Sequence, residues 1–150
     1  MSITNTFTKS FANELMQGVH VFSVPSGSSS SADTFKLALF TSSASLDDDT
    51  DKYESSLAGE VSQSGDYKTG GVDLTATTKI DGDSVLISFN DLSLKNATYT
   101  ARGALVYNAS KGNKSVMCLD FGSDKGGGGQ TFEIAFPNLS HNKAMIRLSY

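Results

Sequence analysis

The chain has 150 residues and a formal net charge of −4 at pH 7, which favours a single domain over residues 1–150. With 12 lysines and arginines against 16 acidic residues, the composition disfavours electrostatic binding to nucleic acid or to anionic membranes. The one cysteine, Cys118, excludes an internal disulfide framework and a multi-cysteine zinc site. The N-terminal residues lack the apolar core of a signal peptide, and no apolar run reaches transmembrane length.

The N-terminal segment has the spacing of one helical face. Four apolar residues fall four positions apart: Ile3, Phe7, Phe11 and Leu15. They predict a short amphipathic helix over about residues 5–17, with Ser2 or Thr4 as its N-cap and Gly18 as the glycine that ends it. Its apolar face must cover a sheet edge or a neighbouring subunit, so Phe7, Phe11 and Leu15 are interface candidates.

Two polar segments are predicted as loops. Residues 24–33 are rich in serine and indicate a flexible connection. Residues 41–71 are rich in Ser, Asp and Gly, and a loop of this length inside a compact domain is usually functional or forms an interface.

The second loop contains a weak calcium candidate formed by Asp47, Asp49 and Asp51. Their alternation resembles the start of an EF-hand loop, which needs a glycine at its sixth position and a glutamate at its twelfth. Lys52 and Ala58 stand at those positions instead. A solvated acidic loop is therefore the favoured interpretation, and no metal is expected.

Seven short segments have the alternation or β-rich composition of strands. They are residues 34–40, 72–80, 84–89, 97–107, 115–121, 131–136 and 144–150. Asp81-Gly82-Asp83 provides a tight hairpin turn between two of them. Because strands do not alternate with helices, the sequence predicts a mainly β protein: an antiparallel, jelly-roll-like β-sandwich with one short N-terminal helix.

Residues 97–130 are the densest in suggestive side chains. Arg102 lies in mid-strand and needs an acidic or carbonyl partner, which is either Asp120 on the facing strand or a neighbouring subunit. The four glycines 126–129 lack the GxxxxGK[ST] pattern of a phosphate-binding loop and are predicted to form a flexible hairpin tip.

No catalytic constellation is predicted, and no cofactor. Cys118 lies in mid-strand, far in sequence from His20 and His141, and is interpreted as a half-buried structural thiol. Both histidines lack metal-ligand spacing and are predicted to lie at the surface or in an interface. Three carboxylates are candidates for glycoside hydrolysis: Asp91, Asp120 and Asp124. Their positions at strand ends and loops favour turn-capping roles, so an enzyme is not expected.

Nearly the whole chain resembles, in order, a widespread group of small virion proteins of tailed bacteriophages. The resemblance is carried by "MSITNTFTKSFANELMQGVHVF", "TFKLALFTSSASL", "ATYTARGALVYNASKGNKSVMCLDFGSDK", "TFEIAFPN" and "AMIRLSY". Two segments depart from the group: residues 24–33 have the character of an insertion, and the acidic residues 47–51 replace a segment that is usually neutral.

The resemblance implies a virion structural protein that is assembled in the host cytoplasm and released by lysis. The first expectation is a head decoration (cement) protein that binds the major capsid protein as a homotrimer. Residues 41–71 would lie across capsid subunits, Phe7, Phe11 and Leu15 would supply apolar contacts, and Arg102 an ionic one. No contact with nucleic acid or membrane is expected.

Three alternatives stay open. The chain could be a tail or fibre component, such as a connector to a receptor-binding protein. It could be a carbohydrate-binding module that uses loop tyrosines such as Tyr53 and Tyr67. An enzyme is the weakest alternative, because it requires a clustered acid–base pair.

Overall fold

The computed structural model describes residues 2–137, 139 and 144–149. Within them the chain forms one α-helix, α1 (Lys9–Met16), a short 3₁₀ helix (Ala109–Lys111) and eight strands. The strands are β1 (Thr6–Phe7), β2 (Phe35–Phe40), β3 (Val72–Leu74), β4 (Ala76–Asp81), β5 (Ser84–Phe89), β6 (Leu92–Asn108), β7 (Lys114–Ile134) and β8 (Ile146–Ser149). The prediction of a mainly β, antiparallel protein with one short N-terminal helix is confirmed.

The strands form two antiparallel sheets. One has five strands in the order β1-β7-β6-β2-β3, and the other has three in the order β4-β5-β8. The segment predicted as one strand over residues 72–80 divides between them, because Leu74 pairs with Phe35 whereas Ala76 pairs with Phe89. The predicted turn after Asp81 is confirmed: Asp81 pairs with Ser84, which leaves a two-residue hairpin loop.

β7 is one long strand where the sequence predicts two strands and a flexible glycine tip. That prediction is wrong because the glycines lie inside the β6–β7 ladder, where Gly126 pairs with Thr100. Gly122, Gly126 and Gly129 have positive φ angles, and the ladder shifts register at several points. Bulges of this kind absorb extra residues without ending the strand.

The helix begins later than predicted. Thr6 and Phe7 pair with Cys118 and Met117 as strand β1, so the backbone is extended where the spacing indicated a helix. The N-cap is Thr8, whose side chain accepts a hydrogen bond from the N–H of Phe11 at 3.3 Å, and not Ser2 or Thr4. Gly18 follows the helix with a φ of 72°, which confirms the predicted terminal glycine.

The larger apolar cluster contains residues of both sheets and of the helix. Phe35 of β2 stacks on Phe22 with ring centroids 4.7 Å apart and lies 5.5 Å from Phe89 of β5. A second cluster joins Phe40 and Leu105 of the larger sheet to buried residues of the segment 41–71, such as Leu46. Burial of this apolar surface is the main stabilising contribution.

Both segments predicted as loops lie outside the named helices and strands. Residues 24–33 are mostly exposed, whereas residues 41–71 contribute buried side chains such as Leu46, Val61 and Tyr67. The long segment is therefore a packed part of the domain. No helix in the described part of the chain is long and apolar enough to cross a membrane.

Candidate interaction surface

An apolar groove of about 380 Å³ lies beside β1. Its apolar lining includes Phe7, Met117, Leu119, Phe121, Phe136 and Met145. The groove exists because β1 is only two residues long and pairs with Met117 and Cys118 alone. From Leu119 onward, β7 pairs with no further strand on that side among the described residues. Of the large apolar lining residues, Phe7 is exposed, Met117 and Phe136 are buried, and Leu119, Phe121 and Met145 are half-buried.

The predicted apolar contacts divide into exposed and buried residues. Phe7 and Leu15 are exposed by 40% and 38%, and Phe7 lines the groove. Phe11 is only 2% exposed, because its ring packs on His20 and Phe22. Phe11 is therefore a core residue, and its assignment as an interface contact is corrected.

Sequence reasoning missed Met16, which is 90% exposed. It ends α1 directly after Leu15, so the two adjacent apolar side chains stand unburied at one end of the helix. The sequence signal that could have identified Met16 is its position. A methionine at the last helical position has no apolar residue later in the helix to pack against. Phe7, Leu15 and Met16 make the exposed apolar surface of the N-terminal segment.

Arg102 pairs with Asp120, the facing-strand partner that the sequence suggested. Its Nε donates to Oδ1 of Asp120 at 2.8 Å, and the N–H of Gly122 donates to the same oxygen at 2.9 Å. These two hydrogen bonds, with the Arg102 bond the stronger influence, hold the pKa of Asp120 below its usual value. Asp120 also lines the groove, so the ion pair borders the apolar surface.

The acidic loop does not bring the predicted calcium set together. Asp47, Asp48 and Asp49 place carboxylate oxygens within 4.8 Å of one another, but Asp51 is not part of this cluster. The ammonium group of Lys9 lies 3.1 Å from Asp48 and 2.9 Å from Asp49. The cluster thus has its own cation, supplied by the first residue of α1.

Cys118 is fully buried rather than half-buried. Its thiol donates to the carbonyl oxygen of Asp47 at 3.4 Å. Burial is the main cause that raises the pKa of Cys118 to about 12, so the thiol stays protonated near neutral pH. A protonated, inaccessible thiol cannot act as a nucleophile.

His20 is buried within a polar network, so its prediction as a surface or interface residue is wrong. Its Nε2 lies 2.8 Å from Oε2 of Glu14, and its Nδ1 lies 3.0 Å from the amide nitrogen of Asn108. The same amide donates to Asp33 at 2.8 Å, while its oxygen accepts from the N–H of Ser110. His141 lies outside the described residues.

The Asn108 contacts fix the tautomer of the His20 ring. Because the Asn108 amide nitrogen can only donate, Nδ1 of His20 accepts and carries no proton. Nε2 then carries the hydrogen and donates to Glu14. The other Glu14 oxygen accepts from Lys114 at 2.9 Å. The network joins α1, the end of the serine-rich loop and the β6–β7 turn, which is a structural role.

The loop tyrosines are buried around Glu60. Tyr53 and Tyr67 donate to its two carboxylate oxygens at 2.7 and 3.1 Å, and the N–H of Gly70 donates at 2.6 Å. Tyr53 stacks on Tyr107 with centroids 4.6 Å apart. With exposures of 7% and 0%, Tyr53 and Tyr67 present no ring face to a sugar. The suggestion that Tyr53 and Tyr67 bind a glycan is therefore corrected.

Comparisons of the chain with protein-family models, with curated proteins and with solved structures find no match. The candidate contact surface of the N-terminal segment consists of Phe7, which lines the groove, and the exposed Leu15 and Met16 of α1.

Proposed function

We propose that this protein is a structural component of a tailed-bacteriophage virion and, within that class, a decoration protein that binds the outer surface of the capsid. The resemblance of nearly the whole sequence to small phage virion proteins supports the class. The observation that carries the specific proposal is the apolar groove lined by Phe7, because an open apolar surface on a polar domain is typical of a protein-binding site.

The proposed partner is the major capsid protein. An apolar segment of that protein would occupy the groove, and Leu15 and Met16 would extend the contact along α1. Each Å² of apolar surface removed from water contributes about 25 cal/mol, and this gain repeats at every lattice position. The capsid then resists the pressure of packaged DNA because many copies add interface between its subunits.

The packing of residues 41–71 supports a preformed binding domain. Glu60 ties Tyr53, Tyr67 and Gly70 together, so this segment needs little ordering when a partner arrives. A preorganised surface binds with a smaller loss of conformational entropy.

The proposal includes a homotrimer at threefold lattice positions. It also includes packing of the two sheets as a β-sandwich, which the apolar cluster shared by both sheets supports.

The test is binding of the purified protein to capsid shells that lack it. Phe7→Ala is expected to weaken binding by roughly three- to eightfold, because full burial of a large apolar side chain contributes about 1.5–3 kcal/mol and the 40% of Phe7 that is exposed is what a partner can cover. Leu148→Ala is the matched control, since Leu148 is also exposed (59%) but lies on β8 in the other sheet. Equal binding by both variants and the wild type would contradict the assignment of the groove.

A further inference from the structure

The three-stranded sheet ends at β4, and this edge is regular. Among the described residues β4 pairs only with β5, and the register runs without a shift from Ala76–Phe89 to Asp81–Ser84. The open side of β7 is different, because positive-φ glycines and register shifts interrupt it. Bulges protect an edge against pairing with another chain, and β4 lacks them.

An apolar row crosses the sheet and reaches this edge. Ile80 pairs with Val85, and Val85 pairs with Leu148. Neighbours in such a row lie on the same face of the sheet. Ile80 and Leu148 are exposed by 77% and 59%. The row therefore ends at the edge with its most exposed side chain.

The charges beside Ile80 complement the same charges on a second, antiparallel copy of β4. Lys79 and Asp81 flank it on the opposite face, with Nζ and Oδ1 3.9 Å apart. If two copies of β4 run antiparallel about a twofold axis at Ile80, each Lys79 stands opposite Asp81 of the other copy. The two copies then form a square of four charges that alternate in sign, which stabilises cross-strand pairing.

The backbone at Ile80 has the orientation that this pairing needs. Asp81 and Ser84 close a two-residue hairpin, and the closing pair of such a hairpin exchanges hydrogen bonds. Because the ladder alternates, the N–H and C=O of Ile80 point away from β5, toward the open edge. A twofold axis at Ile80 lets the two copies exchange both hydrogen bonds.

From these four features we propose that β4 is a self-association edge, at which a second copy of this chain pairs antiparallel about Ile80. Because β4 ends at Asp81, the pairing uses Lys79, Ile80 and Asp81 of each copy and joins the two three-stranded sheets edge to edge. The contact is twofold, so it is separate from the threefold contacts of a trimer and does not depend on the capsid. It joins two monomers, or two trimers, through the same residues.

Substitutions that reverse the charge of Lys79 or Asp81 test this proposal. The measurement is sedimentation of the purified protein across a wide concentration range, which reports its association. Lys79→Asp and Asp81→Lys are each expected to weaken twofold association by about tenfold or more, since two attractive contacts become repulsive. Mixing the two variants is expected to restore it as a heterodimer, because an edge with two carboxylates then faces an edge with two ammonium groups. The double variant K79D/D81K is expected to associate like the wild type.

Lys125→Asp is the control, because Lys125 is exposed on β7 and its substitution changes the net charge by the same amount as Lys79→Asp. It is expected to leave association unchanged. Three results would each overturn the proposal: a wild type without twofold association even at millimolar concentration, single variants that associate as the wild type does, or a mixture that does not recover.

Discussion

Two buried tyrosines that lie side by side differ in what their hydroxyl groups contact. The rings of Tyr67 and Tyr99 are 6.1 Å apart. The Tyr67 hydroxyl accepts from the N–H of Leu39 at 2.9 Å and donates to Glu60 at 3.1 Å. The Tyr99 hydroxyl is buried without a hydrogen-bond partner in the described part of the chain. A buried donor without a partner costs free energy, whereas a satisfied one does not.

Removal of each hydroxyl should therefore have different effects. Tyr67→Phe is expected to lower the free energy of unfolding by about 1–3 kcal/mol, because it leaves the Leu39 N–H without its acceptor. Tyr99→Phe, the matched control, is expected to leave stability unchanged or slightly raised. Denaturant unfolding of both variants measures the difference, and equal losses would contradict the hydrogen-bond assignment.

Glu14 holds its charge in a nearly buried position. Burial alone raises the pKa of its carboxyl, but hydrogen bonds from Lys114 and His20 outweigh burial and bring the pKa below its ordinary value of 4.5. A carboxyl whose pKa is lowered by folding stabilises the folded state above the unfolded pKa. That contribution is lost as the pH falls through the folded pKa.

Glu14→Gln tests this linkage. At pH 7 the variant is expected to unfold about 1–3 kcal/mol more easily, because Lys114 and His20 lose a charged acceptor. The difference from the wild type should shrink as the pH falls below 4.5, the ordinary pKa of this carboxyl. Glu54→Gln, at an exposed pair with Lys52, should change little at any pH. A pH-independent loss in Glu14→Gln would contradict the account.

At the scale of elements, the β6–β7 hairpin organises the larger sheet. Gly103 of β6 is buried where this ladder shifts register. A Cβ at this position would overlap the carbonyl oxygen of Leu119 and lie 2.9 Å from two side-chain carbons of Ile3. The glycine is therefore required by the close approach of β7 and of the N-terminal segment.

Gly103→Ala is expected to destabilise the protein by about 1–3 kcal/mol through overpacking. Gly128→Ala on β7 is the matched control, because a Cβ there meets no atom within 4 Å. Thermal unfolding of the two variants provides the comparison. A tolerated alanine at residue 103 would show that β7 and Ile3 are free to move away.

The helix and the strands also show which structural features a local sequence pattern can predict. The spacing of Phe11, Leu15 and Gly18 correctly indicated a helix and its end, because these signals act within a few residues. Phe7 has the same spacing but pairs with Met117, and no local pattern contains that partner. The glycines 126–129 have the composition of a turn, yet pairing with β6 holds them in a strand.

Over the whole molecule, composition and alternation were sufficient to predict a mainly β, antiparallel protein. The division of strands between two sheets was not predictable, since one residue, Thr75, separates β3 from β4. The burial of His20 also depends on Asn108, which is 88 residues away in sequence. Of the candidate surface, Phe7 and Leu15 were identified from the sequence, whereas the groove beside Phe7 arises from the shortness of β1.

The described part of the molecule has two kinds of open surface. The groove beside β1 is apolar and concave, which suits a segment of another protein. The β4 edge is regular and complementary to itself, which suits a second copy. In the role proposed above, the groove would contact the capsid and the β4 edge a second copy of this chain.

The most direct test of the proposed role is the copy number of this protein in purified virions, measured by quantitative mass spectrometry against the major capsid protein. A decoration protein is expected at a ratio close to equimolar or at a simple lattice fraction. A few copies per particle would contradict the capsid role and would place the protein in the tail.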